Sequence, residues 1–92
     1  MKIDELRKKI DDVDNSILKL FEQRMEYARE IGEYKKQNSL PIRNRERERK
    51  ILCRLCEKTR PEFSEYIKSL FSSLMDMSSN YQESQMDLKK DI

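Results

Sequence analysis

The sequence predicts an all-α protein, built as a three-helix protomer with a long first helix. Two features of the composition indicate this class: 41% of the 92 residues are charged, and there are only one Gly, two Pro and no Trp. A third is a heptad pattern of apolar residues in the first part of the chain, which is typical of a helix that packs along other helices. We therefore expect a single helical domain over residues 1–92.

The first helix is predicted from about residue 3 to about residue 37. Its apolar side chains recur at heptad spacing and form what we call the apolar seam: Ile3, Leu6, Ile10, Val13, Ile17, Leu20, Tyr27, Ile31 and Tyr34. A helix of this length spans on the order of 50 Å, more than the width of a compact domain of this size. Because the rest of one chain is too short to cover the seam, we expect an intertwined helical homodimer.

One position in the seam departs from the apolar pattern. Arg24 occupies a place where the heptad requires Leu or Ile. A buried guanidinium needs an anionic partner, since burial of an unpaired charge is costly. That partner is either an acidic residue on a neighbouring helix or a bound anion, and the pattern favours neither. Gly32 also interrupts the helix, and indicates either the close approach of another backbone or a ligand, or simple tolerance.

A second helix is predicted from about residue 44 to about residue 58, after a connection that contains Pro41. Its apolar stripe consists of Ile51, Leu52 and Leu55. Glu48 extends this stripe by one turn, so we expect its carboxylate to face inward with Arg47 beside it, and Arg45, Arg49 and Lys50 to face solvent. The alternative is that the whole Arg/Glu run is a solvated charged face.

A third helix is predicted from about residue 61 to about residue 83, with Pro61 as its first residue. Its apolar stripe consists of Phe63, Ile67, Leu70, Phe71, Leu74 and Met75. Ser78 and Gln82 continue this stripe where apolar residues are expected. Residues 84–92 are interpreted as a polar C-terminal tail.

The composition narrows the classes of function. Lys and Arg number 20 against 18 Asp and Glu, and a net charge of +2 does not indicate nucleic acid or an anionic membrane as a partner. The sequence has neither an apolar run of ~20 residues nor the apolar core of a secretory signal, so we expect a cytoplasmic protein. His is absent, and Cys53 and Cys56 are interpreted as reduced helix cysteines because nothing completes a zinc site. We expect no metal and no cofactor.

The polar exceptions to the apolar stripes predict one pocket. They come from all three helices: Arg24, Arg47, Glu48, Ser78 and Gln82. Lys35 lies eleven residues after Arg24, on the same face of the first helix and ~16 Å away. A cationic cavity with one carboxylate and two neutral hydrogen-bonding groups suits a compact ligand that has two carboxylates and a hydroxyl.

The motifs that contain these residues carry a family resemblance. They are Leu6-Arg7-x-x-Ile10-x-x-x-Asp14, Glu22-x-Arg24, Gly32-x-x-Lys35, Pro41-Ile42-x-x-x-x-Arg47-Glu48 and Ser78-x-x-x-Gln82. Over nearly its whole length the chain resembles the all-helical (AroQ-class) chorismate mutases. The resemblance implies an entwined dimer that isomerises chorismate to prephenate in aromatic amino-acid biosynthesis. It also implies a [3,3] (Claisen) rearrangement without covalent or metal catalysis.

The resemblance further implies a set of site residues. Those expected to bind substrate are Arg7, Arg24, Lys35, Asn44, Arg47, Glu48, Ser78 and Gln82. Among them, Lys35, Gln82, Glu48 and Arg24 are expected to take part in catalysis. Asn44 is a departure, because some family members carry Asp there, and the amide removes a negative charge from the rim of the pocket.

Arg7 poses a geometrical problem for this assignment. It lies seventeen residues before Arg24, which places the two ~26 Å apart along one helix and about 100° apart around it. A small dicarboxylate cannot bridge that distance. If both residues bind substrate, Arg7 must contribute to the site of the other protomer.

Three other functions fit parts of the pattern. An isochorismate pyruvate-lyase on the same fold needs a similar cationic pocket, but Glu48 favours the mutase because its carboxylate is placed for the hydroxyl of the mutase substrate. The others are a non-catalytic helical dimer that binds an acidic metabolite or a partner enzyme, and a plain coiled-coil interaction module. Loss of chorismate absorbance with purified protein distinguishes the mutase from these three alternatives.

Overall fold

The computed structural model describes the backbone of residues 2–90 and the side chains of residues 2–85. Three α-helices make up most of this range: α1 at Lys2–Gln37, α2 at Arg45–Lys58 and α3 at Ser64–Lys90. A short 3-10 turn at Pro61–Phe63 leads into α3. The described residues form no strand. The predicted all-α class with three helices is therefore confirmed.

The C-terminus of α1 is closed by local hydrogen bonds that reverse the chain. Ser39 has a φ of 54°, and the N–H of Leu40 donates to the carbonyl of Lys35 at 2.8 Å. The side-chain amide of Asn38 donates to the carbonyl of Tyr34 at 2.8 Å. These bonds satisfy carbonyls that the end of a helix leaves without partners. The connection that follows leads to α2, which packs against α3.

Asn44 fixes the start of α2. It has extended backbone angles, and its side-chain oxygen accepts from the N–H of Arg47 at 3.0 Å. This is the usual N-cap interaction, which satisfies one free N–H of the first turn. At the other end, the N–H of Thr59 donates to the carbonyl of Leu55 at 3.0 Å. The bounds of α2 agree with the prediction to within one residue.

The third helix starts as predicted but ends later. Arg60 is extended and Pro61 begins the helical turn. The predicted end at residue 83 is wrong, because α3 continues to Lys90. Residues 84–90 contain no Gly or Pro, and their Gln, Met, Leu and Lys side chains favour helix despite their polarity. Residues 91–92 of the predicted tail lie outside the described residues.

α3 packs against both other helices, and the small buried core of one chain lies along these contacts. The buried residues are Ala28, Gly32, Met75, Ser79 and Gln82. Gly32 is needed at this contact, since a Cβ atom there would lie 2.9 Å from Cγ and 3.2 Å from Cβ of Gln82. The break in the α1 pattern therefore reflects the close approach of a side chain.

We expect Gly32→Ala not to stabilise the protein, although Ala is favoured over Gly inside a helix by about 1 kcal/mol. The new methyl group would press on Cβ and Cγ of Gln82, which lie too near the α3 backbone to move independently of it. Urea unfolding of wild type, Gly32→Ala, Gln82→Ala and the double variant measures the coupling between the two sites. A gain from Ala at position 32 in the presence of Gln82 would contradict the contact.

The apolar seam of α1 does not pack within the chain. All nine of its residues are between 48% and 63% exposed, and the chain is 55 Å long in its greatest dimension. Within the chain, α1 instead contacts its neighbour through the small residues Ala28 and Gly32. The seam thus remains as a long uncovered apolar surface, whose first six residues precede the buried part of the helix.

The two cysteines are free thiols on α2. Cys53 is exposed and donates to the carboxylate of Glu57 at 3.6 Å, and the negative charge of Glu57 raises the pKa of the Cys53 thiol. A thiol whose pKa is raised is a poor nucleophile near neutral pH.

Within the described residues, no helix has both the length and the apolar character needed to cross a bilayer.

Candidate active site

A cavity of about 400 Å³ lies between the second half of α1, the first turns of α2 and the middle of α3. Its apolar wall consists of Tyr27, Ala28, Ile31, Ile42, Ile51 and Met75. Its polar wall consists of Arg24, Lys35, Asn44, Arg47, Glu48, Ser78, Ser79 and Gln82. The size is within the range of small-molecule sites, and the polar groups come from all three helices and from the residue that caps α2.

Seven of the eight residues expected to bind substrate line this cavity, and Arg7 does not. The side chain of Arg7 is 69% exposed and lies 3.8 Å from the carboxylate of Asp4, one turn away on α1. Such an exposed pair contributes little to stability. This weak pair leaves the guanidinium of Arg7 able to bind another anion. Its role in a substrate site stays a prediction.

Arg24 faces the cavity and donates a hydrogen bond to the hydroxyl of Ser78 on α3. Ser78 in turn donates to the carbonyl of Leu74 at 2.9 Å, which orients its oxygen as the acceptor. Partial burial lowers the pKa of Arg24, and no acidic residue pairs with it in the described part of the chain. Of the two partners that the sequence left open, the acidic neighbour is not found there. The remaining candidate is a bound anion.

Lys35 lines the cavity from the last turn of α1, about 16 Å along the helix axis from Arg24. Its ammonium group donates to the carbonyl of Ile42 at 2.6 Å. An ammonium group has three donors, so two remain for another acceptor. The carbonyl therefore holds the lysine in place without neutralising it.

Gln82 is buried, and its position is fixed by one hydrogen bond. Its side-chain nitrogen donates to the carbonyl of Ala28 on α1 at 2.7 Å. Gln82 lines the cavity, and the second N–H of its amide and its oxygen make no hydrogen bond to another described residue. The contact with Gly32 further restricts the side chain. Gln82 is thus a neutral donor in a fixed orientation.

Glu48 lines the cavity, and its main ionic partner is a residue that the sequence analysis did not single out. Arg43, in the connection before α2, binds both carboxylate oxygens through Nε at 3.1 Å and Nη2 at 2.7 Å. Arg45, whose side chain is 68% exposed as expected, also lies 3.5 Å from the same carboxylate. The hydrogen bond from Arg43 is the largest cause of a lowered pKa for Glu48, while burial opposes it. Arg47, which we expected beside Glu48, lines the same cavity but makes no ion pair with it among the described residues.

The sequence analysis missed two polar residues near the cavity. Ser79 is buried next to Ser78 and lines the cavity. The sequence feature that could have indicated it is its place as a second small polar residue in a buried stretch of α3. Arg43 lies in a loop, where helical periodicity gives no information about the direction of a side chain. The sequence feature that could have indicated Arg43 is its charge and position, five residues before Glu48, whose carboxylate was expected to face inward.

The cavity combines three cations, one carboxylate and several neutral hydrogen-bonding groups. Arg24, Lys35 and Arg47 give it a local positive charge that the net charge of the chain does not reveal. Guanidinium groups bind carboxylates by charge-assisted and often bidentate hydrogen bonds. The arrangement can hold a small dicarboxylate and leave Glu48 to accept from a hydroxyl group. No cluster suited to hold a metal ion occurs among the described residues.

Several known proteins are similar to this chain in sequence or in structure. A solved structure of a conserved hypothetical protein from Pyrococcus furiosus superposes with a TM-score of 0.75 at 35% identity, over 89% of this chain and 96% of that one. A chorismate mutase from Methanocaldococcus jannaschii is 46% identical over 54 residues, 59% of this chain and 54% of that protein. A bifunctional chorismate mutase/prephenate dehydratase from Aquifex aeolicus is 51% identical over 47 residues, 51% of this chain and 13% of that protein.

The match to these two curated relatives is thus partial on both sides. It spans about half of the archaeal enzyme and a small part of the bifunctional one. The family match is more extensive, since the family described as chorismate mutase type II matches residues 6–83. This range includes every residue that lines the cavity, as well as Arg7. The chain belongs to the chorismate mutase type II family.

Proposed function

We propose that this protein isomerises chorismate to prephenate. The observation that carries the proposal is the cavity, in which Arg24, Lys35 and Arg47 surround a space next to the carboxylate of Glu48. The family match and the two named relatives support the same reaction. We also propose a cytoplasmic location, for which free Cys53 and Cys56 are the ordinary state.

The reaction requires no catalytic side chain that bonds covalently to the substrate or transfers a proton. Within one molecule a C–O bond breaks while a C–C bond forms, and no proton, nucleophile or external electron pair is needed. The task is to hold a flexible dianion in the compact conformation that brings the reacting carbons together. In the proposed binding mode, Arg47 binds one carboxylate and Arg24, oriented by its hydrogen bond to Ser78, binds the other. Ser78 would also bind this carboxylate by turning its hydroxyl hydrogen away from the carbonyl of Leu74.

Rate acceleration requires interactions that are stronger in the transition state than with the substrate. As the C–O bond lengthens, negative charge develops on the ether oxygen. Lys35 and Gln82 both line the cavity, each has a donor beyond the one bonded to a carbonyl, and both are proposed to bind this oxygen. Glu48 would accept from the ring hydroxyl and fix the orientation of the ring.

The direct test is to incubate purified protein with chorismate, follow its absorbance and identify the product. Formation of prephenate at a rate that saturates with substrate is the expected result. Binding of chorismate without turnover would favour a non-catalytic binding protein. In a parallel incubation with isochorismate, release of pyruvate would favour the lyase. Either result would overturn the proposal.

We further propose that the functional unit is a homodimer in which the apolar seam is covered by a second copy of the chain. The support is a row of nine apolar residues, each about half exposed, along a helix of 36 residues. Monomeric proteins rarely expose an apolar surface of this extent. A second copy carries the same seam, so a two-fold arrangement would cover both surfaces at once.

We expect Ile17→Asp to dissociate this dimer. Ile17 is 57% exposed within one chain, so a carboxylate there disturbs nothing inside the protomer but would be buried between copies. Asn15→Asp introduces the same charge on the opposite side of α1 and serves as the matched control. Analytical ultracentrifugation at micromolar concentration should show a dimer for wild type and Asn15→Asp, and a monomer for Ile17→Asp. A monomeric wild type with full activity would contradict the proposal.

A further inference from the structure

Glu48 is held from outside the candidate active site. Arg43, which binds both of its carboxylate oxygens, does not line that cavity. It lines a separate cavity of about 280 Å³ between α2 and α3, which Glu48 also borders. The side chains of Arg43 and Glu48 are only 26% and 16% exposed. The pair therefore forms part of the wall between the two cavities.

A third residue connects this pair to α3. The Nη2 atom of Arg43 also donates to the carboxylate of Asp76 at 2.8 Å. Because Nη2 has two hydrogens, it can donate to Glu48 and Asp76 at the same time. The guanidinium is thereby fixed between a residue of α2 and a residue of α3. A loop residue without such an anchor would have many orientations, whereas this one has a defined direction.

We infer that Arg43 is a positioning residue for the proposed mutase reaction, which holds both oxygens of Glu48 so that the carboxylate faces the substrate as an acceptor. The inference rests on the proposed function. Each carboxylate oxygen has two lone pairs, and the side-on contact with Arg43 uses one at each oxygen. Arg45 also donates to Oε1 at 3.5 Å, so the second lone pair of Oε2 is left for a hydroxyl donor in the cavity. Arg43 contacts no part of the substrate itself.

Arg43 also affects the charge of Glu48, which an acceptor role requires to be negative. The charged groups that line the two cavities with this carboxylate are Arg43 in the connection, Arg45, Arg47 and Arg49 on α2, Asp76 on α3, and Arg24 and Lys35 on α1. Among the groups that act on the pKa of Glu48, Arg43 lowers it most, Arg45 lowers it less, and Asp76 raises it. Removing Arg43 should therefore raise this pKa, so that Glu48 is protonated at a higher pH.

The main variant is Arg43→Gln, which keeps a polar side chain but removes the charge and the two-pronged contact. We expect kcat/KM at neutral pH to fall about tenfold, as for the loss of a hydrogen bond to a charged group. The acid limb of the pH profile of kcat/KM should also move to higher pH. A residue with a purely structural role would lower activity without moving this limb.

Two further variants make the test specific. Arg43→Lys restores the charge but not the bidentate geometry, so the acid limb should return towards its wild-type position while kcat/KM recovers only in part. Arg49→Gln is the matched control, because Arg49 borders the same second cavity and makes no ion pair among the described residues. Its kcat/KM and acid limb should equal those of wild type.

A direct titration separates this inference from the proposed function. The carboxyl carbon of Glu48, followed by NMR in the protein without substrate, should titrate at a higher pH in Arg43→Gln than in wild type. If wild type does not convert chorismate, the proposed function fails, while the titration still tests the contact. An unchanged Glu48 titration in Arg43→Gln, or an equal shift in Arg49→Gln, would overturn the inference.

Discussion

Replacement of Lys35 by Ala should lower kcat by about 10²–10³-fold, the usual effect of removing a donor to the charge that develops in a transition state. Lys35 lines the cavity, and its ammonium group is held by the carbonyl of Ile42 at 2.6 Å. Two of its donors remain for the ether oxygen, whose charge is small in the substrate and larger in the transition state. The KM should therefore change much less than kcat.

The chain offers a close control for this prediction. Lys36 is the next residue, has the same charge and is exposed in the same helical turn, but it does not line the cavity. Lys36→Ala should keep the wild-type kcat and KM. Steady-state kinetics of both variants, with circular dichroism to compare their helix content, makes the test. A raised KM with unchanged kcat in Lys35→Ala would mean that Lys35 binds substrate and transition state equally.

Helical periodicity accounts for most of what the sequence predicted correctly. The bounds of α1 and α2 followed from apolar spacing and from the connection at Pro41, and polar residues in apolar stripes indicated which side chains face a cavity. Arg24, Ser78 and Gln82 were found in this way. The method works because a helix fixes the direction of each side chain through its position in the sequence.

The parts that were not predicted depend on contacts that periodicity does not encode. Arg43 is in a connection whose direction is set by Asp76, a residue 33 positions later. The contact between Gly32 and Gln82 depends on how closely two helices approach. The extension of α3 beyond residue 83 arises because polar residues are good helix formers when no Gly or Pro interrupts them. Polarity alone was a poor guide to the end of the helix.

Arg7 provides the test of whether the proposed site is shared between protomers. Within one chain it lies far from the cavity, exposed, with only Asp4 close to it. If the seam of α1 packs on a second copy, the first half of α1 extends along the partner, and Arg7 could then reach the partner's cavity. We expect Arg7→Ala to be strongly impaired, although it removes nothing from the cavity of its own chain.

Mixing two impaired variants distinguishes a shared site from a local one. In a heterodimer of Arg7→Ala and Lys35→Ala, one cavity would receive both defects and the other neither. With random exchange of equal amounts, half of the dimers are heterodimers with one intact cavity, so about a quarter of wild-type activity should return. The control pairs Arg24→Ala with Lys35→Ala; both residues line the cavity of their own chain, so each cavity of a heterodimer carries one defect and no activity returns. If verified exchange gives no recovery for the first pair either, Arg7 does not serve the partner's cavity.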